Sequence, residues 1–524
     1  MPEPQISVLL QAPGEMPYSP DDFDRMLSTL TRQSFGEFEI IIYGDNARVT
    51  ETKSTDTLKL VHTASDSQAG ALNAALNQAR GEHILHCNNR SNAIEFRGSA
   101  LLLYRMAMER HGHAALLYGD YDLLDGNRLI ERKLLEHHSG RLCETFDMGY
   151  CLLFSHKFLQ SVGYADGRFR NNPLYDLRLK ASEQGEIVHI SNRSNGAPYL
   201  VRAAAKGLDV FAYLKVGAKI ASENELILTE HLKRIDAYLE PGRHFQRVVY
   251  TPEEEKQFEQ CIASVVIPVY RRPEFIGPAI ASVQSQTVRN IEIVIVCNGG
   301  EEDPTVDETK RYMPGGDKFD PGKPVVRLIV HDINNIGLCL NSALQTSKAK
   351  YYIQLDSDDQ LFPDAVEKIL AAYQGDGRIG MVIGSYQVFE KKAGGSIEPV
   401  LVDGKPFIVT HDEWTEENGR NNLLHIGGAG APRSIKIKVL EEMGWFGMND
   451  SPYSRNYGED YELVNKVAER YRIERVWQPI YKVVRHAGGT DHQIDQATID
   501  LNENAKDHIR WEAIKRRQLL IKRR

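Results

Sequence analysis

The chain has 524 residues, too many for one hydrophobic core, and sets an expectation of roughly two to four domains. Its 42% hydrophobic and 26% charged residues are ordinary for a globular protein, and a net charge of -9 removes the global basic field that would argue for nucleic acid. Met1-Pro2-Glu3-Pro4-Gln5 does not read as the start of a signal peptide, and no stretch approaches the ~20 apolar residues that cross a bilayer.

In chain order, the strand-like run Ile6-Ser7-Val8-Leu9-Leu10 opens an alternation of apolar strands and helical patterns. Arg32-Gln33-Ser34-Phe35 precedes a second strand, Phe38-Glu39-Ile40-Ile41-Ile42, and Ala71-Leu72-Asn73-Ala74-Ala75-Leu76 reads as a helix. Val162-Gly163-Tyr164 and Tyr175-Asp176-Leu177 follow. The same signals then return in the same order: Ala263-Ser264-Val265-Val266-Ile267, Ser285-Gln286-Thr287-Val288 before Ile291-Glu292-Ile293-Val294-Ile295, Cys339-Leu340-Asn341-Ser342-Ala343-Leu344, Met443-Gly444-Trp445 and Tyr461-Glu462-Leu463. The chain is therefore expected to be a tandem duplication of an α/β domain with a mainly parallel, Rossmann-like sheet, copies spanning 1–205 and 262–490. Between them, 206–261 is expected to be a linker with a helix from Leu226 to Leu239, stopped by Pro241-Gly242, and a short strand from Phe245 to Tyr250. The segment 491–524 reads as a helical tail with a basic end from Lys515 to Arg524. The six cysteines (Cys87, Cys143, Cys151, Cys261, Cys297, Cys339) are scattered, which argues for reduced thiols in a cytoplasmic protein and against structural zinc.

The second copy carries a concentration of charge. Tyr351-Tyr352-Ile353-Gln354-Leu355 reads as a buried strand and ends in Asp356-Ser357-Asp358-Asp359. Close carboxylates repel unless a cation or strong donors sit among them. Hard cations such as Mg²⁺ or Mn²⁺ prefer carboxylate oxygens and share them with phosphates. The bland alternative is a solvated acidic turn before a helix that starts at Phe362-Pro363-Asp364.

Gapless alignment on Asn73 and Asn341 puts Asn88-Asn89-Arg90-Ser91 opposite that cluster, so every carboxylate is gone and an arginine replaces one. Asn172-Pro173-Leu174-Tyr175 stands opposite Gly458-Glu459-Asp460-Tyr461, and Val201-Arg202-Ala203 opposite Val484-Arg485-His486. Polar groups lost together while the apolar framework persists are expected of one site, present in the second copy and absent from the first.

From Ser264 to Gly489 the second copy resembles family 2 glycosyltransferases, whose fold is the nucleotide-sugar-binding glycosyltransferase A fold; the first copy resembles them more weakly. The resemblance is carried by Val266-Ile267-Pro268-Val269-Tyr270, Asn335-Ile336-Gly337 with Asn341, Asp356-Ser357-Asp358, Glu459-Asp460 and Arg485-His486. It implies that Pro268, Val269 and Tyr270 hold the nucleotide base, with Asn298, Asn335 and Ser357 beside the donor. It implies that Asp356 and Asp358 bind metal and diphosphate, and that His486 completes the metal site, His492 being a weaker substitute. Asp460 becomes the general base, supported by Glu459, for an inverting transfer to an acceptor hydroxyl. Gly427, Gly428 and Ala429, with Trp445, would face the acceptor; for Trp445 a packing role is an equal expectation, because Tyr164 stands in its place in the first copy. One departure is Cys297-Asn298-Gly299-Gly300, where the family often has an acidic pair that contacts the base.

The implied cofactors are Mn²⁺ or Mg²⁺ and a nucleotide sugar, UDP-sugar first and GDP- or dTDP-sugar as alternatives. The implied partner is a glycan or lipid-linked acceptor in surface polysaccharide assembly. The basic tail suggests a peripheral contact with the inner face of the membrane, against a plain solvated helix end. Oligomeric state stays open, a homo-oligomer included. Two other functions are weighed: a bifunctional glycan polymerase, opposed by Asn88-Asn89-Arg90-Ser91, and a non-catalytic carbohydrate-binding assembly protein, opposed by the intact set Asp356, Asp358, Asp460 and His486.

Overall fold

The computed structural model describes residues 3–12, 19–44, 58–63, 65, 67–192, 196–202, 218–392, 394–411, 419–428, 430–450, 457–486 and 495–523. The chain divides into two compact units, 1–237 and 238–524.

The strands of the first unit are β1 (Ile6–Gln11), β2 (Phe38–Gly44), β3 (Leu58–His62), β4 (His83–Cys87), β5 (Ala93–Phe96), β6 (Ala114–Gly119), β7 (Tyr121–Asp125), β8 (Arg128–Arg132), β9 (Cys151–Ser155), β10 (Glu186–Ile190) and β11 (Tyr199–Arg202). They form a seven-stranded sheet in the order β10-β6-β9-β4-β1-β2-β3 and a four-stranded sheet, β5-β11-β7-β8.

The second unit has β12 (Ala263–Val269), β13 (Ile291–Cys297), β14 (Val325–Val330), β15 (Tyr351–Gln354), β16 (Gln360–Leu361), β17 (Ile379–Lys391), β18 (Ile397–Pro399), β19 (Leu401–Val402), β20 (Lys405–Pro406), β21 (Ile408–Val409), β22 (Arg433–Lys436) and β23 (Arg472–Arg485). Its main sheet runs β14-β13-β12-β15-β22-β17-β23-β16. Read outward from the edge strand, β3-β2-β1-β4-β9-β6-β10 and β14-β13-β12-β15-β22-β17-β23 are the same order. Both are parallel except at β9 and β22, which run antiparallel to both neighbours.

The repeat extends to buried polar contacts. Ser7 and Ser264 are fully buried on the central strands β1 and β12, where both faces are otherwise apolar. Ser7 Oγ donates to Glu39 Oε1 at 2.7 Å, and Ser264 Oγ to Glu292 Oε1 at 2.5 Å. Asn73 donates to the Ala165 carbonyl and accepts from its N–H (2.8 and 3.0 Å); Asn341 does the same with Phe446 (2.9 and 3.0 Å). Each asparagine fixes a turn of two left-handed residues, Gly163-Tyr164 (φ 74° and 64°) and Gly444-Trp445 (φ 84° and 67°). Trp445 and Tyr164 each pack against the core of their own unit.

Three expectations are corrected. The inter-copy helix runs Ala218–Arg234, not 226–239, and packs on helix Pro173–Gln184 of the first unit rather than forming a linker. It is closed by Asp236 in the left-handed region (φ 56°), with the Ala237 N–H on the Leu232 carbonyl, before Pro241-Gly242 is reached. Phe245–Tyr250 forms no strand: its N–H groups reach two unrelated places, Gln246 to the carbonyl of Arg470 at a helix end and Val248 to that of Gly377 in a turn, so no ladder builds. The helix Gln496–Lys522 is no detached tail. Arg517 is fully buried and donates to the Arg420 carbonyl at 2.6 Å, and Arg516 pairs with Glu469 at 2.9 Å. Two of the expected surface cations are therefore spent inside the second unit. Among the described residues no helix is long and apolar enough to cross a membrane, and all six cysteines are free thiols.

Candidate active site

The polar groups of the second unit gather at the carboxyl ends of β12 and β15, where ligands settle in open α/β sheets. β15 stops after Gln354, and the next turn carries the acidic cluster. Asp358 projects to the rim: its Oδ2 is 2.5 Å from Arg272 Nη1 and 3.1 Å from His486 Nε2. Arg272 comes from the loop after β12, and His486 directly follows β23 with its ring 4.5 Å from that of Phe275.

The other two carboxylates of the cluster turn inward. Asp356 accepts from Gln354 Nε2 at 3.3 Å, and its backbone N–H donates to the Tyr481 hydroxyl at 3.1 Å. Burial raises its carboxyl, with Arg433 pulling the other way. Asp359 accepts from the Val484 N–H at 2.8 Å, and burial together with Asp356 pushes its carboxyl well up. Asp359 thus anchors β23. Ser357 is buried between them.

Glu459 and Asp460 open helix Glu459–Arg470, whose N-cap Gly458 sits at φ 93°. Asp460 Oδ2 lies 2.8 Å from Arg433 Nη1 and its Oδ1 accepts from the Tyr461 N–H at 2.7 Å. Glu459 is buried; among the described residues its Oε2 has no hydrogen-bond partner. Burial, reinforced by Asp460, pushes its carboxyl up to about 8. A carboxyl kept neutral next to one held in an ion pair is an arrangement that separates acid and base roles.

The base-side residues are placed unevenly. Pro268 and Val269 end β12, and Tyr270 is 45% exposed beyond it. Arg271 takes a positive φ of 50°, held by its N–H on Asp303 Oδ2 at 2.8 Å; the Arg272 N–H donates to Thr305 Oγ1 at 2.9 Å. Asn298 is buried and donates to Asn334 Oδ1 at 3.1 Å. Asn335 is used as a helix cap, accepting from Leu338 N–H at 2.9 Å and donating to the Met448 carbonyl at 3.1 Å. Gly427 faces Lys506 Nζ, Gly428 has open space around it, and Ala429 and His492 lie outside the described residues.

Asp358 and His486 therefore meet, while Asp356 faces away to Gln354; among the described residues no three His, Cys, Asp or Glu side chains converge as a cation site. The donor set nonetheless fits Mg²⁺ or Mn²⁺ chemistry: two carboxylates and an imidazole at one strand end, with one carboxylate oxygen already drawing two N–H groups. Arg433, Gln354 and Asp303 were not expected from sequence. Asp303-Pro304-Thr305 is a helix-start signal, whereas nothing around Arg433 marks it.

Among the described residues of the first unit, the corresponding strand end, Asn88-Asn89-Arg90-Ser91, holds no carboxylate. Asn89 instead pins β1, accepting from the Gln11 N–H and donating to its carbonyl, both at 2.9 Å. Leu174 packs on the core where Asp460 stands in the second unit.

Residues 264–423 match the model of glycosyl transferase family 2. An uncharacterized glycosyltransferase of Haemophilus influenzae is 30% identical over 261 residues, covering 47% of this chain and 72% of that protein. The chain belongs to glycosyltransferase family 2. A chondroitin synthase of Pasteurella multocida is 33% identical over 121 residues, 23% of this chain and 12% of its own length. The chain spans less than a quarter of the length of several curated relatives it matches. Among solved structures, a mannosyltransferase from Pyrobaculum calidifontis in complex with GDP-Man and Mn²⁺ aligns with a TM-score of 0.34 at 14% identity, covering 57% of this chain and 82% of that one.

Proposed function

We propose that the second unit is a metal-dependent inverting glycosyltransferase. It moves a sugar from a nucleoside diphosphate donor, a UDP-sugar before a GDP- or dTDP-sugar, to a hydroxyl of a glycan or glycoconjugate acceptor. The observation that carries this reading is the pairing of Asp460 with buried, high-pKa Glu459 on the same sheet end as Asp358 and His486. Asp460 takes the acceptor proton as the hydroxyl oxygen attacks the anomeric carbon, and the bond to the diphosphate breaks with its electron pair leaving on the diphosphate. Burial and the neighbouring Asp460 push the Glu459 carboxyl up to about 8, so Glu459 is the proton-holding member of the pair. Asp356, Asp358 and His486 would hold the metal, which when bound neutralises charge on the leaving diphosphate. Pro268, Val269, Tyr270 and Asn298 line the base side, and Arg272 is a cation within reach of the phosphates.

The first unit is proposed to be non-catalytic, a scaffold or acceptor-holding module, because its strand end lacks every carboxylate of the set. Assembly of a cell-surface polysaccharide is supported by similarity to proteins named chondroitin and hyaluronan synthases. The enzyme works in the cytoplasm; among the described residues of the basic end, Lys515, Lys522 and Arg523 are exposed on the last helix and are the cations offered for a contact with anionic lipid or a lipid-linked acceptor.

The test is nucleoside diphosphate release from a panel of nucleotide sugars, with Mn²⁺ or Mg²⁺, by wild type and Asp358→Ala. Metal-dependent release from one donor that vanishes in the variant supports the reading. Silence across the panel, with no thermal shift from any nucleotide, refutes it.

A further inference from the structure

Arg433 is a largely covered cation, its side chain 14% exposed, between the two carboxylate clusters of the second unit. It starts β22, which lies beside β15 in the sheet. Nη1 is 2.8 Å from Asp460 Oδ2 and 3.4 Å from the Gly430 carbonyl, and Nη2 donates to Gln354 Oε1 at 3.2 Å. The other end of the Gln354 amide donates to Asp356 Oδ1 at 3.3 Å, and the Tyr352 hydroxyl donates to Gln354 Oε1 at 3.1 Å. A continuous polar chain thus runs Asp356–Gln354–Arg433–Asp460. The guanidinium fork makes this geometry possible: one cation presents parallel donors to two partners at a fixed angle, which an ammonium does not.

The first unit removes this cation with its partner. There β4 pairs with β9 so that His86 faces Leu152. In the second unit the same register pairs Ile353 with Ser434, which sets Gln354 beside Arg433. Leu152 therefore stands in the place of Arg433 and Leu174 in that of Asp460, and both pack on the first unit's core. A sheet of the same strand order forms without the ion pair, so the cation is not a requirement of the fold. It goes with the carboxylate.

We infer that Arg433 is a positioning residue for sugar transfer: it fixes the orientation of Asp460 and, through Gln354, ties it to Asp356 on the donor side. This rests on the reading of Asp460 as the base. With Oδ2 held by Arg433 and Oδ1 by the Tyr461 N–H, the carboxylate plane is set, and a remaining lone pair is available to the acceptor hydroxyl. The charged and titratable groups around this centre are Asp356 and Tyr352 from β15, Glu459 and Asp460 from the helix, and the Tyr457–Lys506 pair, whose phenol senses Asp460.

The experiment compares wild type, Arg433→Lys, Arg433→Ala with and without added guanidinium, Asp460→Asn, and the paired variant Arg433→Leu with Asp460→Leu, which copies the first unit. Readouts are kcat, donor KM, nucleoside diphosphate binding and thermal unfolding. Arg433→Lys is expected to lose about 10- to 100-fold in kcat with donor KM little changed, since an ammonium keeps the charge and loses the fork. Guanidinium is expected to restore Arg433→Ala but not Asp460→Asn, and the paired variant is expected to remain folded and to bind nucleotide. A lysine variant as fast as wild type overturns the inference, as does loss of nucleotide binding in step with kcat. Unfolding of the paired variant also overturns it, by making the cation structural. If wild type itself releases nothing from any donor, the reading of Asp460 as a base fails, and the inference with it.

Discussion

Arg272 and Asp358 form an ion pair at 2.5 Å at the end of β15, on the carboxylate oxygen that His486 also approaches. The pair is partly exposed, 25% and 20% by side chain, so screening keeps it to about 1 kcal/mol or less. A divalent cation that takes this oxygen must displace the guanidinium. Arg272→Met is therefore expected to tighten binding of Mn²⁺ alone by up to about fivefold, and Asp358→Ala to abolish it. Isothermal titration with Mn²⁺ in the absence of nucleotide measures both. Weaker Mn²⁺ binding in Arg272→Met would contradict the competition.

Asp460→Asn keeps the size of the side chain but cannot accept a proton. Transfer is expected to fall by about 10²- to 10⁴-fold, while nucleoside diphosphate binding stays near wild type. Steady-state kinetics with a fixed donor, beside an equilibrium binding measurement, separates the two. A variant that retains most of its kcat would remove Asp460 from the role of base.

Glu459 holds its proton up to about pH 8 in the folded protein, against a normal carboxyl value of 4.5. Between these values the folded state binds more protons than the unfolded state. Stability is thus full below pH 4.5, declines as pH rises toward 8, and levels off above it. Glu459→Gln is expected to flatten that decline in the second unit. Urea midpoints at a series of pH values test this; identical slopes for wild type and variant would count against it.

Asn341 satisfies both the N–H and the carbonyl of buried Phe446, so Asn341→Leu leaves two buried groups unpaired. The expected loss is about 1–3 kcal/mol for each. Asn73→Leu is expected to cost the first unit a similar amount through Ala165. Unfolding should be followed with a probe local to each unit, because a chain of two units is not expected to unfold in one step. A change in neither unit would show that water replaces the asparagine.

The duplication was legible because its signals are local: Asn73 and Asn341, Ser7 and Ser264, and the Gly-aromatic turns recur at matching places. The candidate site was legible where charge breaks an apolar pattern, at Asp356-Ser357-Asp358 and at Glu459-Asp460. Sequence set Asp356 and Asp358 together as metal ligands and gave Asp359 no role; it did not show that Asp356 turns inward or that Asp359 holds β23. That depends on Val484 and Tyr481 of β23 arriving beside the cluster to take Asp359 and Asp356. Nor did it mark Arg433, whose meaning arises only because β22 inserts antiparallel next to β15. The helix ending at Arg234 was misread because an aspartate, not the Pro-Gly further on, takes the left-handed closing position.

The matching strand orders of the two units have a practical consequence for anyone measuring this protein. Three charged groups of the second sheet end have an apolar or uncharged counterpart already installed in a sheet of the same design: Leu174 for Asp460, Leu152 for Arg433, Asn88 for Asp356. The chain carries its own reference compound. A stability difference between the two units, measured in one sample under one set of conditions, brackets what assembling a charged sheet end takes from the scaffold that bears it.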